Sequence, residues 1–204
     1  MLTEPVRCWG TSDPLYIAYH DEEWGRPVRD ERGLYERLCL EGFQSGLSWL
    51  TILRKRENFR RAFAEFDPDL VARFDERDIE RLLADAGIVR HRGKIEATIA
   101  NARGVLTLRD EGTPLHDLVW SYAPDVCATP RTTADWHSQT DESKALSKRL
   151  KASGFRFVGP TTVWAGMQAC GIVNDHLATC HVRDEVEKLR TALPSGASNA
   201  RSPS

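Results

Sequence analysis

The sequence IERLLADAGIVRHRGKIEATIANA (residues 79–102) decides the fold class of this chain. Its apolar residues recur every three to four positions on both sides of a short break that contains Gly87. This spacing predicts two helices joined by a tight turn. Asp75 and Asp78 form the pattern of a capping box before the first helix, which we expect to run to Ala86. Gly87 then suits a left-handed helix end, so the stretch is predicted to be a helical hairpin.

Helical spacing of apolar residues continues along most of the chain, and alternating apolar and polar stretches are scarce. The predicted fold class is therefore all-α. Residues 113–138 contain three prolines and are expected to be irregular. Further helices are predicted at residues 30–45, 48–63, 91–108, 140–153 and 160–171, with a short one opening at Asp67-Pro68.

The composition is that of an ordinary globular protein, with 41% hydrophobic and 28% charged residues in 204. The formal net charge of −2 excludes binding of polyanions by bulk charge, so contact with nucleic acid requires a local basic patch. Five cysteines without a regular spacing do not predict a disulfide framework. Residues 157–174 carry no charge, but Gly159-Pro160 and several polar residues favour a buried helix over a membrane span. The first residues hold no apolar signal segment, and we expect a cytoplasmic protein.

Potential metal ligands lie near the two ends of the chain. Cys8 and His20 are near the start, and His176 and Cys180 are four positions apart near the end, which on a helix places them on one face. Two Cys and two His make a complete tetrahedral zinc set and leave no open position for water, which indicates a structural ion. The alternative is a buried thiol and two surface histidines, because the spacing of Cys8 and His20 is not that of a recognised ligand pair.

Glu41 is the most informative acid in the sequence. At about 100° per residue it lies only about 20° around its helix from Leu34 and about 60° from Leu38, so it points towards the core. A buried acid is costly unless it is paired or hydrogen-bonded. Either an arginine elsewhere in the fold is its partner, or the acid faces a ligand.

Aromatic residues gather in the same part of the chain. A carboxylate with aromatic walls suits a cationic planar ligand, because the rings stack on it and attract its charge while the carboxylate accepts hydrogen bonds. Packing in the core is the alternative for any single ring. The candidate wall residues are Trp9, Tyr16, Tyr19, Trp24 and Trp49.

The turn of the predicted hairpin offers a phosphate-binding site. Its backbone N–H groups at Gly87, Ile88 and Val89 would lie at the open N-terminus of the second helix, where the helix dipole favours an anion. Many helical hairpins bind nothing, so the basic residues beside the turn matter for this prediction. They are Arg90, Arg92 and Lys94.

Five ordered strings of the sequence resemble the DNA-3-methyladenine glycosylase I family, a branch of the helix–hairpin–helix base-excision glycosylases. The resemblance runs from Cys8 to about Cys180. The chain departs from the family pattern at its start, since Trp9 directly follows Cys8 where family members commonly have a residue between them. The strings are DPLYIAYHDEEWG (13–25), LCLEGFQSGLSWLTILRKRENFRRAF (38–63), DAGIVRHRGKIEA (85–97), GFRFVGPTTVW (154–164) and MQACGIVNDH (167–176).

The resemblance implies an all-α glycosylase fold in which a structural Zn²⁺ on Cys8, His20, His176 and Cys180 joins the two ends of the chain. It implies a base pocket around Glu41 lined by the aromatic residues named above. It also implies DNA contact through the hairpin, and a wedge at Gly46-Leu47 that fills the gap left by the extruded base.

The function implied is that of a monofunctional DNA glycosylase, which flips 3-methyladenine out of alkylated double-stranded DNA and excises it by hydrolysis in base-excision repair. Glu41 would recognise the base first and stabilise charge second. We expect a monomer that acts in the cytoplasm at the nucleoid, without membrane contact. A non-catalytic, zinc-stabilised helix–hairpin–helix DNA-binding protein and a zinc hydrolase are the alternatives.

The expected domain organisation is one catalytic unit over residues 1–185. Within it, residues 30–110 form the helical region with the DNA-binding hairpin, and residues 1–29 with 111–185 form the zinc-linked terminal region. Residues 186–204 are expected to form a helical extension and a disordered tail.

Overall fold

The structure, a computed structural model, describes residues 5–192. Within these residues the chain forms α-helices and two short 3-10 turns, and no strand is present, which confirms the predicted all-α class. The disorder predicted for the C-terminal tail falls on residues 193–204, outside this range. The helices are α1 (Pro14–Glu22), α2 (Glu31–Gln44), α3 (Trp49–Ala62), α4 (Pro68–Val71), α5 (Glu76–Ala84), α6 (Arg92–Asp110), α7 (Leu115–Trp120), α8 (Asp141–Ala152), α9 (Pro160–Ala169) and α10 (Arg183–Thr191).

Capping side chains begin several helices where the sequence predicted them. Asp30 and Ser48 accept backbone hydrogen bonds at the starts of α2 and α3. Asp75 and Asp78 form the predicted capping box of α5, and His91 caps α6. Each such cap stabilises its helix by about 1 kcal/mol, so these local signals set the helix boundaries.

The end of α5 differs from the prediction. The helix stops at Ala84, two residues earlier than expected, and Gly87 is not among the glycines with a positive φ. Its N–H donates instead to the side chain of Asp85 at 2.7 Å. A Cβ at this position would lie 2.9 Å from the same carboxylate, so close packing, and not a left-handed helix end, accounts for the glycine.

Two further boundaries differ from the prediction. The stretch 113–138, expected to be irregular, contains α7 and a 3-10 turn at Thr133–Asp135. Leu115, Leu118 and Val119 are buried, so apolar packing organises this segment although prolines surround it. Likewise α10 begins at Arg183, before the expected boundary at 186, and its Val186 is completely buried in the core.

The core forms around α2, which packs against α3, α6, α7 and α9, while α8 packs on α9. Nine residues of α2 are buried, among them all of residues 37–43, so this helix is enclosed on more than one face. Within residues 5–192 none of the helices is both long and apolar enough to cross a membrane. The uncharged α9 is the buried helix that the sequence predicted, with Val163 and Met167 enclosed in the core.

The N-terminal and C-terminal segments of the described chain contact each other directly. The N–H of Val28 donates to the carbonyl of Cys170 at 3.0 Å, and the N–H of His181 donates to the carbonyl of Val6 at 3.0 Å. Gly171 has a φ of +69°, and a Cβ there would lie 2.5 Å from the carbonyl oxygen of Gly25. This close approach requires glycine and places the C-terminal loop directly on the N-terminal segment.

Candidate active site

Cys8, His20, His176 and Cys180 converge at the meeting point of the two ends, and all four are buried. The Sγ of Cys180 lies 3.4 Å from Nδ1 of His176 and 3.6 Å from Nε2 of His20. The Sγ of Cys8 lies 3.4 Å from the same Nδ1 of His176. A tetrahedral zinc ion with ordinary Zn–S and Zn–N bonds separates sulfur from nitrogen by about 3.6 Å, so the four donors fit this ion.

The remaining nitrogen of each histidine has a hydrogen-bond partner. Nδ1 of His20 lies 2.7 Å from the carboxylate of Asp21, and Nε2 of His176 lies 2.9 Å from the carbonyl oxygen of Trp24. Both partners are acceptors, so they favour a proton on these nitrogens and leave Nε2 of His20 and Nδ1 of His176 as ligands. Arg7 donates to the same carboxylate of Asp21.

The local structure around the last two ligands differs from the prediction. His176 and Cys180 do not lie on a helix but in a loop between α9 and α10. The N–H of Cys180 donates to the carbonyl of Leu177, and the N–H of Leu177 contacts the Sγ of Cys8 at 3.3 Å. A turn therefore connects His176 and Cys180 and brings both side chains to the same point, as one face of a helix would also have done.

A continuous run of aromatic rings leads from the metal-ligand cluster to α3. The ring of Trp9 lies 4.7 Å from His20 and 5.3 Å from Tyr16, measured between centroids. Tyr16 stacks on Tyr19 at 6.2 Å, and Tyr19 lies 5.3 Å from Trp49. Trp24 joins the run through Trp9, at 5.0 Å. All five predicted wall residues are thus brought together, and Trp9 belongs to them although it directly follows Cys8.

Glu41 is buried beside these rings, with 6% of its surface exposed. Within residues 5–192 its carboxylate has no hydrogen bond and no ion pair. Burial raises the pKa of Glu41 to about 7, and the positive charge of Arg37 opposes this rise. The acid is therefore close to its midpoint at neutral pH, as expected of a carboxyl group in an apolar site without a partner.

Arg37, one helical turn before Glu41 on α2, could pair with the acid, but its guanidinium is directed elsewhere. It donates to the phenol oxygen of Tyr19 at 3.1 Å and lies 3.8 Å from the carboxylate of Glu23. It also lies 5.4 Å from the ring centres of Tyr19 and Trp49. The arginine therefore supports the aromatic wall, and it acts on Glu41 only through its charge.

Other polar groups of the wall are also without partners. The indole N–H groups of Trp9 and Trp49 are buried and make no hydrogen bond to any residue in the range 5–192. Burial, and then the charge of Glu41, raises the pKa of Tyr16, so its hydroxyl stays protonated at neutral pH. Free indole donors beside a free carboxylate are typical of a site whose polar groups are completed by a ligand.

The hairpin turn between α5 and α6 presents fewer free donors than predicted. The N–H groups of Gly87 and Ile88 donate to Asp85, through its side chain and its carbonyl respectively, and Ile88 is buried. Val89 keeps a backbone N–H without an intramolecular partner in the described residues. The carbonyl of Gly87 accepts hydrogen bonds from Lys55 and Asn58, which fix the turn to α3.

The three basic residues of the hairpin differ in whether they have partners within the protein. Arg90 is exposed and has no ion pair in residues 5–192. Arg92 pairs with Glu76 at 2.7 Å and with Glu80. Lys94 is buried, and its ammonium donates to the carbonyl of Phe43 at 2.9 Å. Arg92 and Lys94 are therefore engaged within the protein, and their predicted contact with DNA stays a prediction.

Lys94 connects the hairpin to the predicted wedge, a role that the sequence did not reveal. Its ammonium also donates to the carbonyl of Ser45 at 2.6 Å, directly before the turn at Gly46-Leu47. Gly46 has a φ of +80°, and Leu47 projects with 42% of its surface exposed. The partners are 49 positions apart in sequence, so no local pattern could have indicated the contact.

A buried acid walled by aromatic rings suits a nucleobase, and a helical hairpin with an exposed leucine beside it suits the DNA that presents the base. This is the arrangement of a base-excision DNA glycosylase. Comparison with known proteins specifies the branch. The chain belongs to the methyladenine glycosylase family, whose model matches residues 9–184.

Named relatives cover most of this chain. It is 53% identical over 178 residues to DNA-3-methyladenine glycosylase 1 of Escherichia coli (strain K12). The matched region covers 85% of this chain and 95% of that protein. It is 43% identical over 185 residues to DNA-3-methyladenine glycosylase of Haemophilus influenzae (strain ATCC 51907 / DSM 11121 / KW20 / Rd), with 86% and 96% covered.

Solved structures agree with these relatives. A crystal structure of 3-methyladenine DNA glycosylase I superposes with a TM-score of 0.84 at 50% identity and covers 86% of this chain and 98% of that one. A structure that describes 3-methyladenine recognition by the enzyme from Staphylococcus aureus superposes with a TM-score of 0.83 at 38% identity, covering 86% and 95%. The resemblance seen in the sequence and the all-α glycosylase fold are thereby confirmed.

Proposed function

We propose that this protein is a monofunctional DNA glycosylase that excises 3-methyladenine from alkylated double-stranded DNA by hydrolysis, in base-excision repair. The family and the names of its relatives support the activity and the base. The observation that carries the proposal is Glu41, a buried carboxylate with no cationic partner within residues 5–192, among aromatic rings. Such an acid requires a positively charged ligand, and alkylation at N3 makes adenine positive.

Recognition follows from the electrostatics of the pocket. The flipped base stacks against the ring of Trp49 and a tyrosine of the wall, and the Glu41 carboxylate accepts hydrogen bonds from its exocyclic amine. A cation in this position favours the ionised form of Glu41 and lowers its pKa from about 7. An unmodified adenine is neutral and leaves the ionised acid buried without compensation, so the pocket discriminates by charge.

Beyond recognising the base, the protein needs to contribute little to breaking the glycosidic bond. A methylated base is already a good leaving group, so the glycosidic bond breaks with less stabilisation of the transition state than a neutral base requires. Water then attacks C1′ of the sugar. A Schiff base at C1′ is not expected, because the ammonium of Lys94 is held by two backbone carbonyls and the wall residues include no lysine.

The DNA is engaged on the face that carries the hairpin and the turn at Gly46-Leu47. The free N–H of Val89 and the side chain of Arg90 contact phosphate at the open end of α6. Leu47 fills the gap left by the flipped nucleotide. Arg92 and Lys94 support this face from within, by fixing α5 to α6 and α6 to the turn.

A structural Zn²⁺ on Cys8, His20, His176 and Cys180 completes the proposal. The donor set, the sulfur-to-nitrogen separations and the acceptors behind both histidines support this ion. The ligands are contributed by both ends of the chain, so removal of the ion is expected to unfold the protein and abolish activity together. A folded, inactive protein after chelation would instead indicate catalytic zinc.

The decisive experiment compares Glu41→Gln with Glu57→Gln, an exposed site on α3. Both variants and the parent are incubated with methylated duplex DNA, and the released bases are identified by chromatography. The parent releases 3-methyladenine, Glu57→Gln matches it, and Glu41→Gln is slower by about 100-fold, which corresponds to about 3 kcal/mol. Binding of undamaged DNA is unchanged in all three. A parent that binds DNA but releases no base would indicate the non-catalytic alternative.

A further inference from the structure

Phe157 has a backbone conformation that an aromatic residue rarely adopts. Its φ is +54°, in the left-handed region, where a side chain with a Cβ is strained. The other non-glycine residues with a positive φ are Ala64, Glu65 and Phe66, within the described part of the chain. Phe66 is completely buried in the core, which offsets the strain there. Phe157 is 39% exposed, so burial does not account for it.

The flanking residues hold Phe157 in this conformation. The N–H of Arg156 donates to the side-chain oxygen of Asn101 at 2.7 Å, and Phe155 is buried. On the other side Val158 is completely buried, and its carbonyl accepts a hydrogen bond from Ser147 at 2.6 Å. With both neighbours anchored in the core, the left-handed residue between them turns its ring to the surface. Strain that the surroundings maintain in this way is found preferentially at functional sites.

The ring lies on the surface that we assign to DNA. It contacts His91, the cap of α6, with ring centroids 6.3 Å apart, and its Cε2 is 4.0 Å from the position of a Cβ on Gly93. The Cβ of Phe157 lies 3.3 Å from where a Cβ on Gly42 would be. Gly42 precedes the Gly46-Leu47 turn by one turn of α2. The exposed ring is therefore continuous with both the hairpin and the wedge.

We propose that Phe157 is a second side chain that contacts the duplex, by packing its ring against bases that become unstacked beside the gap that Leu47 fills. This inference rests on the proposed function, because it requires a DNA duplex on this face. Aromatic rings suit the role, since every base offers a face on which a ring can stack. The neighbouring surface carries positive charge as well, since Arg156, next to Phe157 in sequence, and Arg90, next to His91 in sequence, are both exposed.

A pair of substitutions separates this role from packing. Phe157→Gly and Phe157→Ala both remove the ring, but only glycine also removes the strain of the positive φ. We expect Phe157→Gly to melt at a higher temperature than Phe157→Ala. Both variants should bind a duplex with an abasic-site analogue about tenfold more weakly in fluorescence anisotropy, the loss expected for one stacking contact. Phe157→Trp should restore binding.

Leu70→Ala is the control. It removes an apolar side chain that is also exposed, from α4, next to Asp69, which pairs with Arg109 at the far end of α6 from Phe157. This control should bind the duplex as the parent does. If both ring-deleted variants bind within twofold of the parent, the inference is wrong and the ring serves packing alone. A parent that binds this duplex but releases no 3-methyladenine from methylated duplex DNA contradicts the proposed function instead, and the comparison at Phe157 can still be made.

Discussion

Replacing Glu41 with Gln should make the protein more stable as well as less active. Burial raises the pKa of Glu41 from 4.5 in an unfolded chain to about 7, a difference that corresponds to about 3 kcal/mol. Below pH 4.5 the acid is protonated in both the folded and the unfolded state, so its ionisation does not lower the free energy of unfolding. Between pH 4.5 and 7 the unfolded chain loses its proton first, so the folded state becomes progressively less stable. Above pH 7 the full penalty is present.

Glutamine has nearly the shape of a protonated glutamic acid and leaves a similar polar group in the pocket. The variant should therefore gain about 3 kcal/mol over the parent at pH 8 and about 1 kcal/mol at pH 5.5. Urea denaturation followed by tryptophan fluorescence at the two pH values measures both differences, with Glu57→Gln as the control. A variant that is less stable than the parent at pH 8, or a difference that does not change with pH, would show that the ionised acid has a partner in the fold.

Three further predictions concern the support of the site. Lys94→Met should slow base release without changing the salt dependence of DNA binding. Arg90→Met should reduce the slope of log Kobs against log salt by about 1, because of these two side chains only that of Arg90 is expected to contact phosphate. Trp49→Ala should weaken binding of free 3-methyladenine about tenfold in calorimetry, through loss of a stacking wall; an unchanged affinity would exclude Trp49 from the pocket. Gly171→Ala should lower the free energy of unfolding by more than about 1 kcal/mol in urea, since its Cβ would lie 2.5 Å from the carbonyl of Gly25; a neutral effect would contradict the close approach.

The sequence predicted those features that depend on local chemistry. Asp30, Ser48 and the capping box at Asp75 begin their helices as expected, because a cap acts on N–H groups two or three residues away. The inward direction of Glu41 follows from the helical period in the same way. The four candidate metal ligands were recognised from their residue types, and the family resemblance favoured them over a buried thiol with two surface histidines. The distance in sequence between the two ligand pairs far exceeds the reach of any local pattern.

The sequence did not predict the features that depend on tertiary partners. Arg37 and Glu41 are one turn apart on α2, which favours an ion pair, but Tyr19 and Glu23 from the neighbouring segment engage the guanidinium instead. Lys94 was predicted to face phosphate because it follows the hairpin turn, and the carbonyls at the end of α2 hold it. In both residues a long flexible side chain could reach several partners, and only the packing of helices determines which one it meets.

Several features that lower the stability of the free protein involve residues of the proposed site. They are the buried acid Glu41, the unpaired indole N–H groups of Trp9 and Trp49 within residues 5–192, and the strained Phe157 on the proposed DNA-binding surface. Each lowers the stability of the free protein, and each would be relieved or used when a cationic base and its duplex are bound. The Cys and His cluster lies at the Trp9 end of the aromatic run and ties the segment bearing Trp9 to the C-terminal loop. A metal ion at this cluster would hold the aromatic wall in place before the ligand binds. The binding free energy would then not be reduced by the cost of ordering these side chains.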